Sequence, residues 1–163
     1  MRFLALTAVR PNELRGARWD EFEDLDGALP LWRIPATRMK GNLDRKDELD
    51  GDHLVPLPPQ CVEVLRALWP LTGDCELLFP SNRHAHRPTS ENAIGYLLNR
   101  AGYHGHHVPH GFRAVFSTIM NEWAERNGKT HDRKVIDLML AHENLPMGSP
   151  EADGRQPLPT WPV

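Results

Sequence analysis

Apolar residues along the chain recur first at helical spacing. "MRFLALTAV" (1–9) has that spacing but no capping residue ahead of it, so the pattern predicts a chain that begins inside a helix. Pro11 suits the first turn of a second helix, where its missing N–H would be unpaired anyway. Leu14 and Ala17 to Trp19 carry that second helix inward. The period then shortens. "WDEFEDL", "LPLWRIPA" and "DHLVPL" predict three short strands over about 19–25, 30–36 and 53–57. Trp32 and Ile34 alternate with Leu31 and Arg33, as the two faces of a half-buried strand do. The acidic stretch from Gly41 to Asp52 separates the second and third strands, which predicts a hairpin with an enlarged loop and a small antiparallel sheet.

Helical spacing returns at "PPQCVEVLRALWPL", where Val62, Leu65, Leu68 and Trp69 share a face. It continues in "ENAIGYLLNRAGY", with Ile94, Leu97, Leu98 and Ala101 inward and Gly102 placed to end the helix. "PHGFRAVFSTIMNEWAERNG" predicts the longest helix, from Pro109 in its first turn to Gly128 at its stop. Val115, Phe116, Ile119, Met120 and Trp123 form its expected buried stripe. "HDRKVIDLMLAH" completes the set. The fold class expected is mainly α, within α+β, with one small three-stranded antiparallel sheet inserted early. Beyond Asn144 the pattern dissolves, and Pro146, Pro150, Pro157, Pro159 and Pro162 predict an irregular tail.

Composition narrows the class. The 163 residues suit one domain, and 40% hydrophobic with 25% charged residues is an ordinary soluble balance. No apolar run approaches the roughly 18 residues that a membrane span needs, and "MRFLALTAV" is too short for a signal peptide. Cys61 and Cys75 lack metal-site spacing and read as free thiols of a reducing cytoplasm. The net charge of −3 argues mildly against nucleic acid as a partner. The acids are bunched in 20–26 and 44–52, however, while "RMKGN" and "NRHAHR" are basic, so a local positive groove survives the negative total.

Three stretches carry candidate chemistry. In "AVRPNEL", Arg10 stands just before a helix N-terminus, where an anion would meet free N–H groups and a guanidinium. In "HGFR", His110 and Arg113 are three apart and share a helix face, both able to donate to a phosphate or carboxylate oxygen. Lys40 in "MKGN" stands at the mouth of the hairpin. Taken singly, each is a common surface polar group. The nine histidines raise a metal site as a rival, through "HGHHVPH" (104–110) and "HAH" (84–86). Zinc sites prefer Cys/His pairs or helical histidines four apart, and neither cysteine lies near these clusters.

The ordered series "TAVRPNELRGARWDEF", "RMKGN", "HLVPL", "PHGFRAVFSTIMNE" and "LMLAH" resembles the catalytic domain of tyrosine recombinases, most closely the prophage and genomic-island integrases. The resemblance runs from about Ala5 to His142. It implies that Arg10 and Arg113 are catalytic arginines with His110 and His142 beside them, that Glu13 supports Arg10, and that Lys40 is the general acid for the leaving 5′-hydroxyl. It further implies site-specific DNA recombination by transesterification with no metal or other cofactor. The partners it implies are double-stranded DNA and other recombinase protomers, with no membrane, in a cytoplasmic, nucleoid-associated setting. The five site residues would converge on one concave positive surface.

The family's nucleophile is a tyrosine on a helix soon after "LAH". Here Tyr96 and Tyr103 both precede "HGFR". The expectation is therefore a catalytic domain over 1–142 lacking the amino-terminal DNA-clamping domain. The same expectation has 143–163 as an irregular tail in place of the nucleophile helix, as in a decayed or frameshifted gene product. Two alternatives stay open: a non-catalytic DNA-binding or interaction remnant, and a histidine-rich metal-binding domain.

Overall fold

The computed structural model describes residues 1–39, 51–129 and 133–141. Helix α1 (Arg2–Thr7) buries Phe3, Leu4 and Thr7, and the Thr7 hydroxyl donates to the Phe3 carbonyl at 2.9 Å. It stops at Ala8, whose φ of 51° turns the chain out of the helix. Helix α2 (Pro11–Arg15) follows, with Pro11 at its first position as its fixed φ favours.

Three strands form one antiparallel sheet in the order β1-β2-β3: β1 (Phe22–Glu23), β2 (Leu31–Ile34) and β3 (His53–Pro56). Trp32 faces Val55 and Ile34 faces His53 across the β2–β3 ladder. Trp32 and Ile34 are fully buried while Leu31 and Arg33 are only half-buried, as the alternation predicts. The first strand is shorter than expected. Residues Trp19–Glu21 make a 3₁₀ turn, because the Glu21 carboxylate accepts the Arg18 N–H at 3.2 Å and closes the chain on itself. The second strand also ends early, at Pro35, after which Ala36–Arg38 form another 3₁₀ turn.

Helix α3 (Pro59–Thr72) covers the sheet with Cys61, Val62 and Leu65. Together with Phe3, Leu4, Val9, Leu14, Trp32 and Ile34 these make the main core. Phe3 meets the Trp32 ring edge-on at 5.8 Å and Phe22 stacks on it at 5.4 Å. Trp69, expected on the buried face, is 56% exposed; it packs edge-on against Trp19 at 4.9 Å.

The remaining helices are covered less than their periodicity suggests. Helix α4 (Ala93–Leu98) runs into a π-turn (Asn99–Tyr103) that Gly102 ends at φ 88°, a left-handed conformation costly for other residues. Of its predicted inward set, Leu98 is buried and Ile94 partly so, whereas Leu97 and Ala101 are exposed. Helix α5 (Gly111–Arg126) starts two residues after Pro109, with His110 at its N-cap. Its Phe116 and Met120 pack on a second, smaller core of Ala8, Ile136 and Leu140. Val115 and Ile119 are exposed, and Trp123 is half-buried with the Lys129 ammonium 5.1 Å from its ring centre. Helix α6 (Arg133–Met139) supplies Ile136. Among the described residues no helix is long and apolar enough to cross a membrane. The expected irregular tail, 143–163, lies outside the described residues.

Candidate functional site

The loop between α1 and α2, the start of α5 and the end of α6 meet where the two cores join. Arg10 is the N-cap of α2 in an extended conformation (φ −68°, ψ 141°). Three residues on, Glu13 is 2% exposed, and its carboxylate accepts the Arg10 backbone N–H at 2.7 Å and the Arg10 guanidinium at 3.0 Å. That is the geometry of a capping box, with the third residue of the helix reaching back to the cap. The other end of the Arg10 guanidinium donates to the Ala141 carbonyl at 3.1 Å.

Arg113 enters the same place from α5. It is 5% exposed and donates to the Ala8 carbonyl at 2.8 Å and to the Leu140 carbonyl. Ala8 ends α1, and Leu140 and Ala141 follow α6, where carbonyls lack helical partners and carry partial negative charge. Ala8 and Ala141 both have positive φ, at 51° and 47°, as the chain turns away from each helix end. Two arginines thus hold two successive carbonyls, which sets their guanidinium groups side by side and not on opposite faces. Burial, then the neighbouring Arg10 charge, lowers the Arg113 pKa, while Glu13 opposes both. Arg113 keeps its charge with ample margin because an arginine starts so high.

A residue that the sequence reading passed over joins them. His53 opens β3, is 7% exposed, and among the described residues its ring nitrogens make no hydrogen bond of good geometry, the Met139 backbone being an acceptor that favours its proton. Burial is the largest influence holding its pKa below the ordinary value. Arg10 and Arg113 push the same way, while Glu13 and the Met139 backbone oppose. A polar residue at an inward strand position of "HLVPL" was the available signal.

The expected site residues fare differently. Arg10, Glu13 and Arg113 come together. His110 sits exposed one helical turn before Arg113, at the α5 N-cap. Lys40 and His142 lie outside the described residues; their described neighbours are Met39, beyond the Ala36–Arg38 turn, and Ala141, held by Arg10. The histidine clusters do not assemble. His84 and His86 are exposed with rings 5.8 Å apart, His104 and His106 are exposed, and His107 packs edge-on against Phe112 at 4.4 Å. Among the described residues no group of three or more His, Cys, Asp or Glu could hold a metal ion. Cys61 and Cys75 are free thiols, and burial pushes the Cys61 thiol up to about 12, far from reactivity at neutral pH.

Residues 1–149 match the phage integrase family. Prophage integrase IntA of Escherichia coli (strain K12) is 39% identical over 137 residues, covering 84% of this chain and 29% of that protein. The integrase of Enterobacteria phage P4 is 42% identical over 123 residues, 72% of this chain and 27% of that one. The crystal structure of XerA recombinase superposes with a TM-score of 0.60 at 25% identity, over 86% of this chain and 45% of that chain. The chain therefore spans less than a third of the length of these two integrases.

Proposed function

The chain belongs to the phage integrase family, and from that premise we propose that its 163 residues carry the phosphate pocket for site-specific DNA recombination. The observation that carries this reading is the pairing of Arg10 and Arg113 on the adjacent carbonyls of Ala141 and Leu140, above a buried Glu13. Two guanidinium groups beside one carboxylate leave an excess of positive charge in a part-buried place, which a DNA phosphodiester would neutralise.

In the proposed reaction, one DNA strand is broken by attack of a tyrosine on the scissile phosphorus. The P–O bond to the 5′-oxygen breaks as a 3′-phosphotyrosyl bond forms; the tyrosine hydroxyl gives up its proton and the 5′-oxygen takes one, so the step is neutral in protons overall. Charge grows on the phosphate oxygens in the transition state. Donors already fixed there stabilise it without reorganising, and losing one such donor typically costs about 3–4 kcal/mol. Arg10 is the more exposed of the pair, and its guanidinium has donors beyond those given to Glu13 and Ala141. Arg113, sunk beneath, contributes charge and fixes the helix ends. His110 and His142 are proposed as further donors. Lys40 is proposed as the acid for the 5′-oxygen, a role worth roughly a hundred- to ten-thousand-fold. These side chains supply the positive charge that a metal ion provides in other phosphoryl-transfer sites.

The sequence holds no tyrosine after Tyr103. The 163-residue chain is therefore proposed to bind DNA without cleaving it, which gives these residues by themselves a non-catalytic DNA-binding role. The test is fluorescence anisotropy with a labelled duplex over a salt series, alongside a nicked suicide substrate that traps covalent product. Salt-sensitive binding weakened about tenfold or more by Arg10→Ala, with no adduct, is the expected result. Binding indifferent to Arg10→Ala would overturn the pocket assignment. An adduct lost on Tyr103→Phe would show that the nucleophile had been misjudged.

A further inference from the structure

His53 lies within electrostatic reach of both arginines, and the reaction just described gives it no part. It takes an inward position on β3, opposite Ile34, with Val55 on the same face. Its ring is more than nine-tenths buried, and among the described residues neither nitrogen makes a well-formed hydrogen bond, the Met139 backbone offering only a weak one. A buried imidazole normally satisfies at least one nitrogen, because an unmade hydrogen bond is costly. The charged groups that face it come from two elements: Arg10 and Glu13 of the α2 capping box, and Arg113 of α5. The backbone of Met139 approaches from α6. Without an anion, these groups amount to two positive charges against one negative, so a third cation in their midst is disfavoured. An anion on the arginine pair reverses that balance.

We propose that His53 is a positioning residue for the arginine pair and takes up a proton when a phosphodiester or similar oxyanion occupies it. This rests on the phosphate-pocket reading above and adds to it a proton linkage at a residue that never touches the DNA. Protonation turns the imidazole into a double donor and adds a positive charge behind the arginines. By reciprocity, anion affinity rises as pH falls through the His53 titration. The buried position leaves little of the ring for a direct contact, so the proposed effect is transmitted through Arg10 and Arg113.

The experiment is a proton NMR titration of the His53 Cε1–H resonance in the 163-residue chain, assigned with His53→Gln. It is run without ligand, with sodium sulfate as a non-titrating oxyanion, and with a short DNA duplex. The Nε–H signals of Arg10 and Arg113 are followed in the same samples. The expected result is a His53 midpoint below that of the exposed histidines, rising by about one unit when sulfate or duplex saturates the arginine signals, a shift of the size a nearby opposite charge produces. Sulfate affinity of wild type should rise more steeply toward low pH than that of His53→Gln, whose arginine signals still respond. If the arginine signals move and the His53 midpoint does not, the proton linkage is wrong and the phosphate pocket stands. If neither arginine responds to sulfate or to duplex, the pocket reading itself fails and this proposal falls with it.

Discussion

The chain uses one local motif twice. Arg10-Pro-Asn-Glu13 and Arg18-Trp-Asp-Glu21 each place a glutamate three residues after an arginine, and each glutamate accepts that arginine's backbone N–H, at 2.7 and 3.2 Å. Both glutamates are buried. Beyond that the two diverge. Glu13 also holds its own arginine's side chain, and a second arginine lies close by. The side chain of Arg18 instead turns outward to Asp20 and Glu76, while Glu21 takes the Trp32 indole N–H at 3.0 Å and the Arg38 guanidinium at 2.6 Å. At Glu21 the charges balance one for one inside the scaffold. At Glu13 a positive excess is left facing the junction of three helix ends. The motif sets the turn, and the residues brought from elsewhere decide whether it becomes scaffold or site.

That contrast is most exposed by removing each carboxylate. Glu21→Ala orphans a buried indole N–H and leaves the partly buried Arg38 without its counter-charge, so it should cost about 4 kcal/mol in urea unfolding. Sulfate should return none of it. Glu13→Ala should cost about 2–4 kcal/mol in the absence of anion, and 50 mM sulfate (about that order, chosen to exceed a weak site) should return part, because an oxyanion on Arg10 and Arg113 replaces the lost negative charge. Equal rescue of both variants, or of neither, would mean that the two clusters are not the different devices described.

The pH dependence separates them next. His53 is held below the ordinary histidine value, chiefly by burial, so the folded chain binds this proton less readily than the unfolded one. Its contribution to stability is present above the unfolded value of about 6.5 and is lost as pH falls from there toward the depressed folded value. The slope is at most about 1.4 kcal/mol per pH unit for a single proton. Asp20 is lowered too, by its pairing with Arg18, but it starts in the carboxylate range, so its contribution is lost only as pH falls from about 3.8 toward the depressed folded value, well below the histidine window. Urea midpoints from pH 7.5 to 5 should therefore fall in wild type and flatten in His53→Gln. A slope that His53→Gln leaves unchanged would assign it to another histidine.

These clusters also mark where the sequence was legible. Strands β2 and β3 follow from period-two alternation, and Trp32 and Ile34 are buried as that pattern requires. The arginine pair was found only because several stretches occur in a recognisable order; spacing within "AVRPNEL" or "HGFR" does not bring residues 103 positions apart together. Helix periodicity located α3 to α6 but overstated their burial. An apolar stripe shows which face is available for covering, not what covers it, and Leu97, Val115 and Ile119 are exposed among the described residues. The 3₁₀ turn at Trp19–Glu21 hid inside an apparent strand because its cause is a side chain reaching back to the backbone. His53 was missed for the opposite reason: within an otherwise apolar strand end, one histidine looked incidental.

The smallest expected effect is the one that best isolates the motif from its surroundings. Arg18→Ala removes a side chain 37% exposed, paired with Asp20 at 3.1 Å and Glu76 at 2.5 Å. Those carboxylates are themselves well exposed, at 66% and 56%, so water and salt screen both pairs. The turn does not depend on that side chain. Its backbone N–H still reaches Glu21, and the neighbouring backbone bonds from Trp19 to Glu76 and from Leu78 to Ala17, at 3.1 and 2.8 Å, are untouched. The loss should stay within about 1 kcal/mol and shrink further in 0.5 M salt (on the order used to suppress surface pairs). Duplex affinity should be unchanged, whereas Arg10→Ala, the same position of the same motif, weakens it about tenfold or more. A large affinity loss from Arg18→Ala would extend the DNA-facing surface to the second motif, and the division between scaffold and site would have to be redrawn around Glu76 and Asp20.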